Sequence, residues 1–177
     1  MTIAAGTHTA GPDNGRMLVK TYREGVAAKV GHDLVIEVTR WEATITGGDA
    51  PSISLTADPR SLEVLSGERG VKPLTDKDRV EIRKNIDEKV LGGSPISFAS
   101  TGARSEGGGL VVDGDLTMGG STRPVSMTLD EGADGTLAGT ISLVQSEWGI
   151  KPYRGLMGAL KVRDDVEVVV EARLPTG

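Results

Sequence analysis

Few residues of this sequence are of types suited to chemistry. His32, inside KVGHDLVIEV at residues 29–38, stands directly before a run in which Leu34, Ile36 and Val38 alternate with Val35, Glu37 and Thr39. An imidazole titrates near neutral pH, so it can act as a general acid or base or ligate a metal. A hydrolytic triad built on it would need a poised nucleophile, and the sequence contains no G-x-S-x-G elbow. Asp33 cannot orient it, because adjacent residues on a strand point to opposite faces. His8 is the only other histidine and there is no cysteine, which removes thiol nucleophiles, disulfides and thiolate ligands. A zinc or iron site would have to be rich in carboxylates, and no metal, cofactor or catalytic residue is expected. Asp113 and Asp115 of VDGDLTMGG are separated by one residue, but the twelve-residue calcium loop with its closing glutamate is absent, so both are expected to face water. The glycines at 107–109 lack the trailing lysine of a phosphate loop and read as a hairpin turn.

The elements that must position His32 are strands. Its even number places it with Leu34, Ile36 and Val38, so it is expected to point inward as a polar mark on an apolar wall. In WEATITGG the apolar members Trp41, Ala43 and Ile45 are odd, so the phase changes near Thr39 and Arg40. A bulge or bend there would keep both sets on one face. The same period continues through RMLVKTYR, through Ile53, Leu55 and Ala57, and through Ile96 and Phe98. It recurs in Leu110, Val112, Leu116 and Met118 with Gly114 between them, in Val125, Met127 and Leu129, in Ile141 and Leu143, and in Val166, Val168 and Val170. These eight or nine strand candidates, joined by turns such as SEGGG, MGGST and DEGADGT, have the cadence of an antiparallel sandwich or barrel. Residues 1–15, small and polar, read as a disordered lead, and residues 16–177 as one domain.

One segment breaks the rhythm. In TDKDRVEIRKNIDEKVLGG, residues 75–93, Thr75 reads as an N-cap followed by Asp76 and Asp78; Ile82, Ile86 and Val90 recur at helical spacing, and Gly92 supplies a stop. The spacing predicts an amphipathic helix laid against the sheet or over an open end of it. The stretch from Ser146 to Pro175 gathers Trp148, Tyr153, Leu156, Met157 and Leu160 among Gly149, Pro152, Gly155 and Gly158. It is either a lid at a mouth or a loop tucked onto the sheet with Trp148 and Tyr153 as plugs.

Composition narrows the function classes. The chain has 177 residues, 37% hydrophobic, 25% charged and 3% aromatic, with a formal net charge of -5. That suits one soluble domain whose interior is lined mainly by aliphatic carbon. Lysine and arginine are scattered along the sequence without a basic stripe, so nucleic acid is not an expected partner. No stretch is long and apolar enough for a membrane span, and MTIAAGTHTAGPDNGR lacks the basic start and apolar run of a signal peptide. The expected location is the cytoplasm, or the periplasm or exterior if the terminus is processed.

Several of these stretches together resemble the YceI-like family. VGHDLVIEV is similar to its early histidine and hydrophobic strand, DPRSLEV with Ser61 to its following strand end, and SPISFAST to its element after the helix. VDGDLTMGGSTRPVSMTL, WGIKPY and GALKVRDDVEV are similar to its later strands, so that the resemblance spans residues 17–174 in order. Asp33 stands where the family usually has serine. The resemblance implies an all-β fold, an antiparallel eight-stranded lipocalin-like barrel with one amphipathic helix in a connection, and a homodimer. It implies binding of a long isoprenoid-type lipid, a polyisoprenoid or isoprenoid quinone.

Together these readings make the chain a binding protein. Candidate cavity-wall residues are His32, Leu34, Ile36, Trp41, Ile53, Leu55, Ser61, Ile96, Phe98, Leu116, Met118, Met127, Leu143, Trp148, Tyr153 and Val168. His32 and Ser61 are the groups expected to meet a head group or a water, and Gly114 is expected to leave space in the wall. Two alternatives stand beside this: an enzyme acting on an apolar substrate with His32 as acid or base, helped by Ser146 or Glu147, and a filled barrel that serves as an interaction module.

Overall fold

Strands form wherever the period of two persists, and glycine pairs turn the chain between them. In the computed structural model, which describes residues 3–175, the strands are β1 (Gly6–Ala10), β2 (Gly15–Thr21), β3 (Arg23–Glu24), β4 (Asp33–Val38), β5 (Trp41–Gly47), β6 (Ser52–Ala57) and β7 (Leu62–Glu68). After helix α1 (Asp76–Asn85) follow β8 (Ile96–Glu106), β9 (Gly109–Met118), β10 (Ser121–Glu131), β11 (Thr136–Val144), β12 (Arg154–Gly155), β13 (Leu160–Val162) and β14 (Asp165–Arg173). The first two residues of the expected lead, and residues 176–177 of the expected domain, lie outside the described residues. The turns on either side of β9 each place two glycines at positive φ, Gly107 and Gly108 at 59° and 81° and Gly119 and Gly120 at 59° and 81°. Two-residue hairpin turns of that hand require such residues.

The strands pair antiparallel in the order β1-β5-β6-β8-β9-β10-β11-β14-β2-β4-β7, with β12-β13-β3 as a small separate sheet. Eleven strands replace the expected eight, and the ladder does not close, since β1 and β7 are its two edges. Nine of the eleven are the period-two runs of the sequence, and the two edge strands, β1 and β7, are the additions. Residues 6–10, expected to be disordered, pair with β5 from Gly6↔Gly47 to Ala10↔Ala43. GTHTA carries no apolar alternation because only Ala10 is buried, so its strand is dictated by the neighbour it pairs with. In β7, Leu62 and Val64 alternate, but the run is short and ends in Ser66 and Gly67.

The phase change at Thr39 and Arg40 is a corner. Thr39 N–H donates to the Ser61 carbonyl at 2.9 Å and Asp58 N–H to the Arg40 carbonyl at 2.9 Å. The bend lets Ile36 and Val38 before it, and Trp41, Ala43 and Ile45 after it, enter one core.

The open edge at β7 is covered by the helix. Thr75 and Asp78 form a reciprocal cap: the Thr75 hydroxyl accepts from Asp78 N–H at 3.1 Å and the Asp78 carboxylate from Thr75 N–H at 2.9 Å. One turn on, Arg79 Nη1 donates to the Val64 and Leu65 carbonyls at 2.8 and 2.7 Å, while Arg83 reaches the Arg60 carbonyl at 2.9 Å and pairs with Glu63. These bonds occupy carbonyls along an edge strand that would otherwise invite another strand. Ile82 and Ile86 face the core, and a wide turn at Ile86–Val90 carries the stripe on to Leu91. Arg79→Ala is expected to cost about 1–2 kcal/mol, the lower part of the range for bonds from a charged donor that is partly solvated. Urea unfolding measures the loss, and faster amide exchange confined to β7 and α1 would locate it; uniform exchange would refute the edge role. No helix among the described residues is long and apolar enough to cross a membrane.

Candidate functional site

The inward faces of the strands leave a cavity of about 310 Å³. Every long strand of the main sheet contributes to its wall, and Ile86, Val90 and Leu91 line it from the helical segment. Eleven of the sixteen candidate residues are on that wall: Ile36, Trp41, Ile53, Leu55, Ile96, Phe98, Leu116, Met118, Met127, Leu143 and Val168. Period two placed them there, because each belongs to an apolar row facing the core.

Five candidates are elsewhere, and each corrects the sequence reading. His32 is not on the wall; it precedes β4, and its Nε2 lies 2.5 Å from the Lys72 carbonyl. Its ring lies against Gly70, where an added Cβ would fall 2.1 Å from Nε2. The parity argument required a strand beginning by residue 32, whereas β4 begins at Asp33. Asp33 itself turns back, accepting the Arg23 N–H at 2.9 Å and pairing with Arg69 at 3.5 Å. Leu34 supports the core from outside the cavity. Tyr153 lies in the loop beyond, with the Lys89 ammonium 5.8 Å from its ring centroid.

Ser61 is 0% exposed and is spent on the corner: its Oγ donates to the Asp58 carbonyl at 2.8 Å and accepts from Arg40 N–H at 3.1 Å. Asp58, across the same corner, is held below the usual carboxylate range by the Arg60 N–H and the Arg40 guanidinium. A lowered folded value adds stability above the ordinary Asp range, lost as the pH falls through the folded value. Ser61→Ala is expected to cost about 1–3 kcal/mol by leaving buried backbone groups unpaired. The urea midpoint should fall while ligand retention is unchanged, and a fall in retention at equal stability would return Ser61 to the wall.

Trp148 ends the short helix Gln145–Trp148, and Gly149 at φ 76° turns the chain away. It is 2% exposed, donates Nε1–H to the Leu116 carbonyl at 2.9 Å, and packs with Met118, Leu143, Ile150 and Val166. Of the two readings of this segment, the plug is the one that describes Trp148. Ser146 bonds to Asp164 at 2.8 Å through its N–H, and Glu147 is exposed; neither is a partner of His32 among the described hydrogen bonds. The space expected at Gly114 is filled, because a Cβ there would fall 2.4 Å from the Phe98 ring.

The wall also contains residues that sequence reasoning did not single out. Met17, Val19 and Thr21 share a face of β2 and line the cavity, a placement that period two in RMLVKTYR already carried. Gln145 had no such signal, since it lies just beyond β11. The wall's polar residues are Thr21, Gln145 and Glu171, and Glu171 is exposed. Thr21 and Gln145 mark one end, where the small sheet joins the main one: Gln145 N–H donates to the Asp164 carbonyl at 2.9 Å and Arg163 N–H to the Tyr22 carbonyl at 2.8 Å. The Gln145 amide donates to the Arg163 carbonyl at 3.2 Å. Beside them Tyr22 donates to Glu167 at 2.5 Å, a bond that holds the phenol above its ordinary range. The site is therefore an oily chamber with Thr21 and Gln145 at one end, suited to seating a slim apolar chain.

The family described as YceI-like domain matches residues 19–174. Among solved structures, BcnA of Burkholderia cenocepacia is similar at 14% identity with a TM-score of 0.65, covering 89% of this chain and 94% of that one. A YceI protein of Campylobacter jejuni is similar at 11% identity with a TM-score of 0.51, covering 77% and 81%. At these identities the likeness is one of fold. No curated protein matches the chain.

Proposed function

We propose, from the premise that this chain belongs to the YceI-like domain family, that it binds and carries a long apolar lipid of isoprenoid type, a polyisoprenoid or an isoprenoid quinone, within its curled sheet. The observation that supports this reading is the cavity of about 310 Å³ whose wall is hydrocarbon apart from Thr21, Gln145 and the edge of Glu171. Burial of each CH₂ contributes about 0.8 kcal/mol, so a five-carbon unit contributes about 4 kcal/mol. Two units exceed the low end and about four the high end of the roughly 4–15 kcal/mol cost of association. The volume lies at the small end of the about 300–1,000 Å³ range of ligand pockets, which favours a slender chain over a fused ring system. Met17, Met118 and Met127 stand on the wall, and their unbranched thioethers can swing aside to seat a longer tail.

Native mass spectrometry of freshly purified protein, followed by organic extraction and lipid mass analysis, tests this directly. The expected result is an added mass equal to an isoprenoid-type lipid. A mass equal to the bare chain, with nothing displaceable in the extract, would count against carriage. His32→Ala is expected to leave the retained lipid unchanged, since the ring lies off the wall against Gly70; a conversion of lipid that stops in this variant would establish an enzyme instead.

A further inference from the structure

Tertiary structure gathers charge and exposed apolar surface that the sequence disperses. Among the described residues the large exposed apolar side chains are Val26 at 94%, Val30 at 57%, Val71 at 70%, Met157, which is fully exposed, and Val80 on α1. The first four lie on three loops laced together. Ala27 N–H donates to the Ala159 carbonyl at 2.8 Å, and a Cβ on Gly31 would meet Leu160 at 2.5 Å. Arg23 Nη1 donates to the Ala28 and Gly31 carbonyls at 3.2 and 3.1 Å and also to the Arg69 carbonyl. His32 joins the Lys72 carbonyl at 2.5 Å, so this histidine ties two of the loops.

Three further observations converge on these loops. Residues 22–33, 67–73 and 153–162 carry six Lys or Arg against three Asp or Glu, within a chain of net charge -5. Among the described residues Arg69 and Met157 are the non-glycine positions with positive φ, at 61° and 57°. A bulky residue held in that region without burial wins no packing in return. Finally, the small sheet that carries the loops at 25–31 and 156–160 joins the end of the cavity marked by Thr21 and Gln145, and the third loop follows β7 of the main sheet.

We propose that the loops at 25–31, 69–72 and 156–160 form a docking surface for an anionic bilayer, with Val26, Val30, Val71 and Met157 entering the headgroup boundary and the exposed Lys29, Lys72 and Arg154 beside them meeting lipid phosphates. Exposed apolar tips ringed by basic residues bind such an interface by area and charge together. The proposal rests on the cavity being the lipid site, because it places loading and delivery at the cavity end nearest these loops.

Flotation of the full chain with vesicles tests it. Binding is expected to vesicles of phosphatidylcholine mixed with phosphatidylglycerol, to weaken at least tenfold with phosphatidylcholine alone, and to weaken as salt screens the charges. Lys29→Gln and Lys72→Gln should each weaken binding about fivefold, and Val26→Ser with Met157→Ser about tenfold or more. Equal binding to both vesicle types, no binding to either, or variants that bind like the parent would overturn the surface. Concentration-dependent self-association lost in Val26→Ser/Met157→Ser would also overturn it and give the face to a second copy. Loading from detergent-dispersed isoprenoid separates the two readings: the serine variant should still load from detergent but lag in uptake from anionic vesicles. Failure of the parent chain to load from detergent sinks the cavity reading instead.

Discussion

Ala43→Phe is expected to abolish lipid retention while leaving the chain folded. Ala43 is buried in the middle of β5, between Trp41 and Ile45 on the same face, and all three line the cavity. A phenyl ring built there enters the space a tail would occupy. Exclusion of one five-carbon unit removes about 4 kcal/mol of transfer free energy, which is roughly a thousandfold in affinity. Overpacking a solid core costs about 1–3 kcal/mol, but here the ring has a cavity of about 310 Å³ to enter, so the penalty is expected at or below the small end. Leu116→Trp, on β9 of the same wall, provides a second test from a different strand. Extraction and mass analysis measure retention, and thermal unfolding checks integrity. Retention of the parent's lipid by both variants, at unchanged affinity, would show that the tail lies somewhere else.

Trp148→Ala is expected to bring the largest loss of stability, about 3–5 kcal/mol, as for other large aromatic truncations in a core. The indole is almost wholly enclosed by Met118, Leu143, Ile150 and Val166, and its N–H bond to the Leu116 carbonyl anchors the short helix Gln145–Trp148 against β9. Those four neighbours also line the cavity, so the hole left by the indole lies directly behind the wall. Trp148→Phe keeps most of the packing and loses the hydrogen bond, and should therefore fall between the parent and the alanine variant. A urea series across the three proteins makes the measurement. A change within about 0.5 kcal/mol for Trp148→Ala, the scale of ordinary surface substitutions, would mean that this residue is a lid and not a plug.

Much of the fold was legible because strand and helix periods are local. The alternation of Leu110, Val112, Leu116 and Met118 described β9 before any contact was known, and the Ile82, Ile86 and Val90 spacing described the covering helix. The phase change at Thr39 and Arg40 foretold the corner. Most of the cavity wall followed from the same arithmetic, since an inward row stays inward for the length of its strand. His32 was misplaced because parity says nothing at a strand end, where the chain leaves the pleat, and Ser61, singled out through the family resemblance, is claimed by the Asp58 carbonyl at the corner. Gly114 looked like a gap only because its neighbour in space, Phe98, is sixteen residues away in sequence.

The chain's own order of residues determined that it would build an apolar-faced antiparallel sheet with one amphipathic helix, because side-chain direction repeats every two residues on a strand and every three to four on a helix. Tertiary structure alone decided that β1 and β7 are the two edges of the ladder, that Arg79 and the helix stripe cover one of them, and that Phe98 fills the site of Gly114 while a chamber remains. It also decided that Val26, Val71 and Met157 share one group of loops. These are facts of closure and long-range packing, set by which surfaces meet when the sheet curls, and no local period encodes them.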